Sequence, residues 1–150
     1  MPASPHALVS ILLIEDDDID ARGVERALKK RQWTNPLLRA RSATEALCLL
    51  RDGRVVSPFV VLLDLNLPGM SGIEFLKQLR HDPSLAQTIV FVLTTSRRDE
   101  DITAAYHQHV AGYIVKSCMD RDYNALLSML ESYCRVLAFP IRRSDGRPDH

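Results

Sequence analysis

Five residues could do chemistry together: Glu15, Asp16, Asp64, Thr94 and Lys116. They lie far apart in the chain, but each follows a short apolar run. Residues 9–14 end on Glu15-Asp16, residues 60–63 on Asp64, residues 88–93 on Thr94, and residues 112–115 on Lys116. Alone, each has a plain reading; Asp64, next to Pro68 and Gly69, could simply cap a turn. At one edge of a sheet they would put three carboxylates, a hydroxyl and an ammonium around one crevice. Two like charges 4 Å apart repel by about 4 kcal/mol at an effective dielectric of 20, so three ionised carboxylates need a cation. An all-oxygen ligand set suits a hard divalent ion, and magnesium fits best. Metal, ammonium and hydroxyl are what a phosphoryl group requires as its charge spreads in transfer. Asp64 is then a nucleophile able to carry an acyl phosphate. The chain has no Gly-rich phosphate loop, so a nucleotide bound here is not the expected donor.

The elements around these residues support that placement. A short apolar run bounded by turn residues reads as a strand buried on both faces, which belongs to a parallel sheet covered by helices. Strands are predicted at 9–14, 36–40, 60–63, 88–93 and 112–115. Helices follow at 18–30, 44–51, 72–82, 99–109 and 120–135. Inward positions are Ile19, Val24, Ala27 and Leu28; Ala43, Ala46, Leu47 and Leu50; Ile73, Leu76 and Leu79; Ile102, Ala105 and Tyr106; and Tyr123, Leu126, Leu127, Leu130 and Cys134. Asp17 or Asp18 would cap the first helix. Strand then helix, five times over, argues for a flavodoxin-like α/β fold: a doubly wound five-stranded parallel sheet in order 2-1-3-4-5 with helices on both faces. Ligand sites in such sheets lie outside the carboxyl ends of the strands, at the switch point between strands one and three. Glu15-Asp16 and Asp64 follow those two strands.

Composition sets the class. The chain has 150 residues, 46% hydrophobic and 25% charged, which fits one globular domain. Its 19 basic and 19 acidic residues balance, so bulk affinity for nucleic acid or an anionic membrane is not expected. No apolar run approaches the roughly 20 residues of a membrane span, and the first ten residues do not read as a secretory signal. The expected location is cytoplasmic. Cys48, Cys118 and Cys134 are read as reduced packing residues, and the scattered histidines as unrelated to metal.

In sequence order, Ile14-Glu15-Asp16-Asp17, Leu62-Leu63-Asp64-Leu65-Asn66-Leu67-Pro68, Leu93-Thr94-Thr95-Ser96 and Gly112-Tyr113-Ile114-Val115-Lys116 resemble the receiver domain of two-component response regulators. The resemblance spans residues 9–135, between a lead-in at 1–8 and an extension at 136–150. It implies that Asp64 accepts a phosphoryl group from a histidine kinase. Glu15, Asp16, Asp64 and the backbone carbonyl of Asn66 would hold magnesium. Thr94 and Lys116 would contact the phosphoryl group, with Thr94 and Tyr113 as a linked switch. On the residues alone, Tyr113 is also readable as an edge-strand packing residue. The narrower resemblance is to single-domain regulators paired with phytochrome kinases, which implies a phytochrome-type kinase, such as a bacteriophytochrome, as partner. Two departures stand out: Glu15 where many receivers have aspartate, and Ser117 where many have a proline with a cis bond before it. The residues leave the Lys116–Ser117 isomer open.

The end of the chain is apolar before it turns polar. Met129, Tyr133 and Val136 form a second apolar set at spacings of four and three, followed by Leu137, Phe139 and Ile141. An apolar surface of this kind marks an interface. The resemblance implies a homodimer built on the last helix, the last strand and this extension. Residues 142–150 read as disordered, and 136–150 are too few for a DNA-binding output domain, so the expected output is a protein contact. Two other readings compete. A haloacid-dehalogenase-type phosphatase would need a second aspartate two residues after Asp64, where Asn66 stands. A pseudo-receiver acting only as a docking or dimerisation module would usually lack the acidic pocket, the threonine or the lysine. The preferred reading is a phosphoacceptor signalling protein, not an enzyme.

Overall fold

The computed structural model describes residues 9–33, 36–120 and 122–136, with the side chains of residues 135 and 136 excepted. Successive strand residues face opposite ways, so each strand feeds two cores. Five parallel strands, β1 (Ser10–Ile14), β2 (Leu37–Ala40), β3 (Phe59–Leu63), β4 (Val90–Thr94) and β5 (Gly112–Val115), stand in the order β2-β1-β3-β4-β5. Helices α1 (Asp18–Lys30), α2 (Ala43–Arg51), α3 (Gly72–His81), α4 (Asp99–His107) and α5 (Asn124–Val136) alternate with them. Leu12, Ile14, Val61, Leu63, Val90 and Val92 face α2, α3 and α4 through Leu47, Phe75, Leu76 and Ala105. Ile11, Leu13, Val60, Leu62, Phe91 and Leu93 face α1 and α5 through Val24, Leu28, Leu126 and Leu130. This is the predicted flavodoxin-like sheet with helices on both faces.

Local chemistry starts the helices. The Asp17 carboxylate accepts from the amides of Ile19 and Asp20, Ser42 caps α2 through Glu45 N–H, and Ser71 caps α3 through Glu74 N–H. Arg80 braces the face opposite the strand ends. Its guanidinium donates to the backbone carbonyls of Ala86, Thr88, Gln108 and His109 at 2.7–3.0 Å.

Several expectations need correction. Ile19 is 79% exposed, and Ala21 takes the inward place. At about 100° per residue, Ile19 stands roughly 200° from Ala21, on the opposite side of α1. Tyr106 is exposed for the same reason, one residue off the line of Ala105. Cys48 and Cys118 are exposed, not packed; Cys134 is buried. Strand β4 begins at Val90, because the Thr88 hydroxyl bonds back to Leu85 O. Helix α5 begins at Asn124, because Asp120 accepts that residue's N–H and Tyr123 before it takes a left-handed φ of 54°. Met129 and Tyr133 are partly buried against the core under α5, with the Tyr133 ring edge-on to Phe91 at 5.0 Å. The lead-in, the Val136 side chain, Leu137, Phe139, Ile141 and the polar end lie outside the described residues.

Candidate functional site

Strand register assembles the site. Ile14 pairs with Leu63, so the residues that follow, Glu15 and Asp64, emerge side by side. Thr94 pairs with Val115, which places Lys116 one residue further along the same edge. Parallel neighbours lie about 4.8 Å apart, so adjacent strand ends bring side chains within contact distance. Gly72 tightens the arrangement. A Cβ there would lie 2.6 Å from Leu65 Cα and 2.8 Å from the Asp64 carbonyl, so only glycine lets the start of α3 press against the turn carrying Asp64.

Asp64 is 6% exposed, and its two oxygens meet different partners. Oδ1 accepts from the Thr94 hydroxyl at 2.8 Å and from the Asn66 amide at 3.0 Å. Oδ2 faces the Lys116 ammonium at 3.2 Å. Burial opposes ionisation, but the Asn66 amide, the Lys116 charge and the Thr94 hydroxyl together hold the Asp64 carboxyl below the usual range. The Lys116 ammonium also bonds Glu15 Oε1 at 2.6 Å and Asp20 Oδ2 at 2.8 Å. Burial alone would lower its pKa; the bonds to Asp20 and Glu15 and the charge of Asp64 more than reverse that.

Glu15 behaves differently. Burial pushes it up to about 7, against the hydrogen bond from Lys116, and the Asp64 charge adds to the rise. A proton therefore rests more easily on Glu15 than on Asp64. Glu15, Asp16 and Asp64 offer carboxylate oxygens within 4.8 Å of one another. Three carboxylate oxygens gathered this closely form an all-oxygen donor set that fits a hard divalent cation. Asp16 is exposed, an entry point for that ion.

Three features had no counterpart in the sequence reading. Asp20 completes the lysine's hydrogen bonds. Arg39 donates to the Glu15 carbonyl through Nε at 3.0 Å and Nη2 at 2.9 Å, and to Asp18 Oδ1 at 2.8 Å, which fixes the acidic loop from behind. Tyr113 donates its hydroxyl to Ser96 O at 3.0 Å, two residues beyond Thr94. Tyr113 thus bonds the segment that follows Thr94 as well as packing against the core. The only sequence trace of Asp20 is that every residue from Glu15 to Asp20 except Ile19 is acidic. The Lys116–Ser117 peptide is trans, the cis bond among the described residues being Ser57–Pro58.

This edge is that of a receiver, and the chain belongs to the response regulator receiver family, whose domain model matches residues 11–130. Its relatives narrow the comparison. The chain is 35% identical over 127 residues to the response regulator Rcp1 of Synechocystis sp., covering 82% of this chain and 86% of that protein. It superposes on the crystal structure of the Mn(2+)-bound form of Rcp1 with a TM-score of 0.76 at 33% identity, covering 88% of this chain and 99% of the other. The phosphorylated cyanobacterial phytochrome response regulator RcpA matches with a TM-score of 0.67 at 35% identity, over 84% of this chain and 88% of that one. Among the described residues no helix is long and apolar enough to cross a membrane.

Proposed function

We propose that this receiver takes a phosphoryl group on Asp64 from the phosphohistidine of a histidine kinase and passes the signal on by protein contact. The observation that carries the reading is the two-sided hold on Asp64: hydroxyl and amide on Oδ1, ammonium on Oδ2. In the transfer an Asp64 oxygen forms the O–P bond as the P–N bond of the phosphohistidine breaks, and the departing imidazole keeps the electron pair. Thr94 and Lys116 reach outward to the phosphoryl oxygens that now carry the charge. Glu15, Asp16, Asp64 and the Asn66 carbonyl would hold magnesium, which would neutralise charge on the phosphoryl oxygens. The protein is a phosphoacceptor, not a turnover catalyst of an outside reaction. Withdrawal of the Thr94 hydroxyl toward the phosphoryl group shifts the segment that Tyr113 bonds at Ser96, and the two act as one switch.

Likeness to Rcp1 and RcpA supports a phytochrome-type kinase as the donor. A homodimer through α5 and the residues after it belongs to the same reading, as does a cytoplasmic location. Intact mass after incubation with acetyl phosphate and Mg2+ tests the central claim. Wild type should gain one phosphoryl group and lose the gain when EDTA is added first. Asp64→Asn should gain nothing. A folded wild type that stays unmodified would overturn the reading and favour a docking module that never takes phosphate.

A further inference from the structure

Lys116 has three N–H donors and, here, three carboxylate acceptors. Two of them, Glu15 and Asp64, belong to the cluster that could ligate a cation; Asp20 does not. A cation entering that cluster draws on the same two carboxylates that hold the lysine. Asp20 is the one partner of the lysine that stands outside that cluster. The contacts are graded to match: 2.6 and 2.8 Å to Glu15 and Asp20, and 3.2 Å to Asp64. The third N–H is the loosely held one, and it faces the oxygen of the phosphoacceptor.

The frame around Asp20 is firm. It lies in the first turn of α1, its own N–H bonded to the Asp17 cap at 3.0 Å. One turn on, Gly23 lets the Tyr123 ring lie flush with the helix; a Cβ there would meet Tyr123 Cε2 at 3.3 Å. Further along, Lys30 pairs with Asp122 at 3.2 Å. The segment from Lys116 to Tyr123 therefore meets α1 at residues 20, 23 and 30. Lys116 is 9% exposed in its side chain and Asp20 36%, so this is not a freely solvated surface pair.

We propose that Asp20 is a positioning residue that keeps the Lys116 ammonium over Asp64 once a divalent cation has engaged Glu15 and Asp64. The proposal rests on Asp64 being the phosphoacceptor, and its test separates the two. The first readout is the 15N-detected NMR signal of the Lys116 ammonium, visible only while its protons are shielded from solvent exchange. In Mg2+-saturated wild type the signal persists; in Asp20→Ala it is lost. The second readout is phosphorylation by acetyl phosphate across a Mg2+ titration. Asp20→Ala should lower the maximal rate roughly tenfold while the half-saturating Mg2+ concentration stays within about twofold. Asp20→Glu should restore most of the rate. In a Lys116→Ala background, Asp20→Ala should change nothing further. Asp20→Asn, which keeps the shape and removes the charge, serves if the alanine variant does not fold. A shielded ammonium in Mg2+-saturated Asp20→Ala, or effects of the two substitutions that multiply in full, would overturn the proposal. A wild type that takes no phosphoryl group would sink the Asp64 reading alone, and the ammonium signal would still decide Asp20.

Discussion

The two sides of Asp64 are built from different materials. On the Oδ1 side the partners are neutral, the Thr94 hydroxyl and the Asn66 amide, and the connection runs outward through Ser96 to Tyr113. On the Oδ2 side they are charged: one ammonium among three carboxylates, with Arg39 and Arg41 behind the acidic loop on Asp18. Charge at short range and low exposure is strong but indifferent to small displacements; a hydroxyl bond is weaker and sensitive to direction. The charged side suits holding a cation and a phosphoryl group. The neutral side suits registering that they have arrived. Lys116 bonds three acceptors at once, whereas Thr94 has a single proton to give and must let go of Asp64 to reach anything else.

That contrast breaks most severely at Lys116. Lys116→Met should slow phosphorylation by acetyl phosphate about 100-fold, the usual scale for losing one preorganised charge-stabilising donor. The same variant should gain more thermal stability from Mg2+ than wild type does, since the cation replaces the missing positive charge. Mg2+-dependent melting curves check the second point, and an equal gain in both proteins would contradict it. Next comes the neutral side. Thr94→Val removes one hydrogen bond to an ionised group, worth about 1.5–3 kcal/mol, so the phosphorylation rate should fall about tenfold or more. Magnesium affinity, measured by titration calorimetry, should stay near the wild-type value.

Acidity sharpens the charged side again. Protons and a cation compete for the Glu15 carboxylate, whose pKa burial raises to about 7. Proton competition therefore grows as pH falls through neutrality, and Mg2+ affinity should drop about tenfold between pH 8 and pH 6. Glu15→Gln should flatten that profile; an equally steep profile in the variant would point to another group. The smallest effect is expected at Tyr113→Phe, which removes one hydroxyl bond of about 1 kcal/mol. It should leave Mg2+ binding and phosphorylation unchanged while loosening the 94–96 segment, seen as faster amide exchange at Ser96.

Much of this was legible from the chain because the governing signals are local. Apolar runs with turn residues at their ends locate strands wherever both faces are covered. Parallel topology then brings Glu15, Asp64, Thr94 and Lys116 to one edge without further information. What was not legible depends on angles and on distant partners. Ile19 looks like a core residue until the Asp17 cap sets the phase of α1. The Asp20 carboxylate, near a helix start that favours any acid, finds its real partner 96 positions away. Arg39 reads as an ordinary charged residue of a short strand; its use lies in reaching across to the Glu15 carbonyl. Met129 and Tyr133 carry a real apolar signal. Sequence spacing does not say whether a half-turned side chain rests on its own sheet or on another molecule.

Arg80 has a mechanical meaning for α4. Its guanidinium holds the carbonyls of Gln108 and His109, just past the end of that helix farther from Asp64. At the near end the position before the helix is Arg98, which makes no side-chain cap bond, and Ala105 is the buried residue of the helix. The near end is tied instead through Ser96, whose hydroxyl donates to Asp101 in the first turn of the helix. The Thr94–Ser96 segment is therefore joined directly to the first turn of α4, while Arg80 holds the residues beyond its last turn.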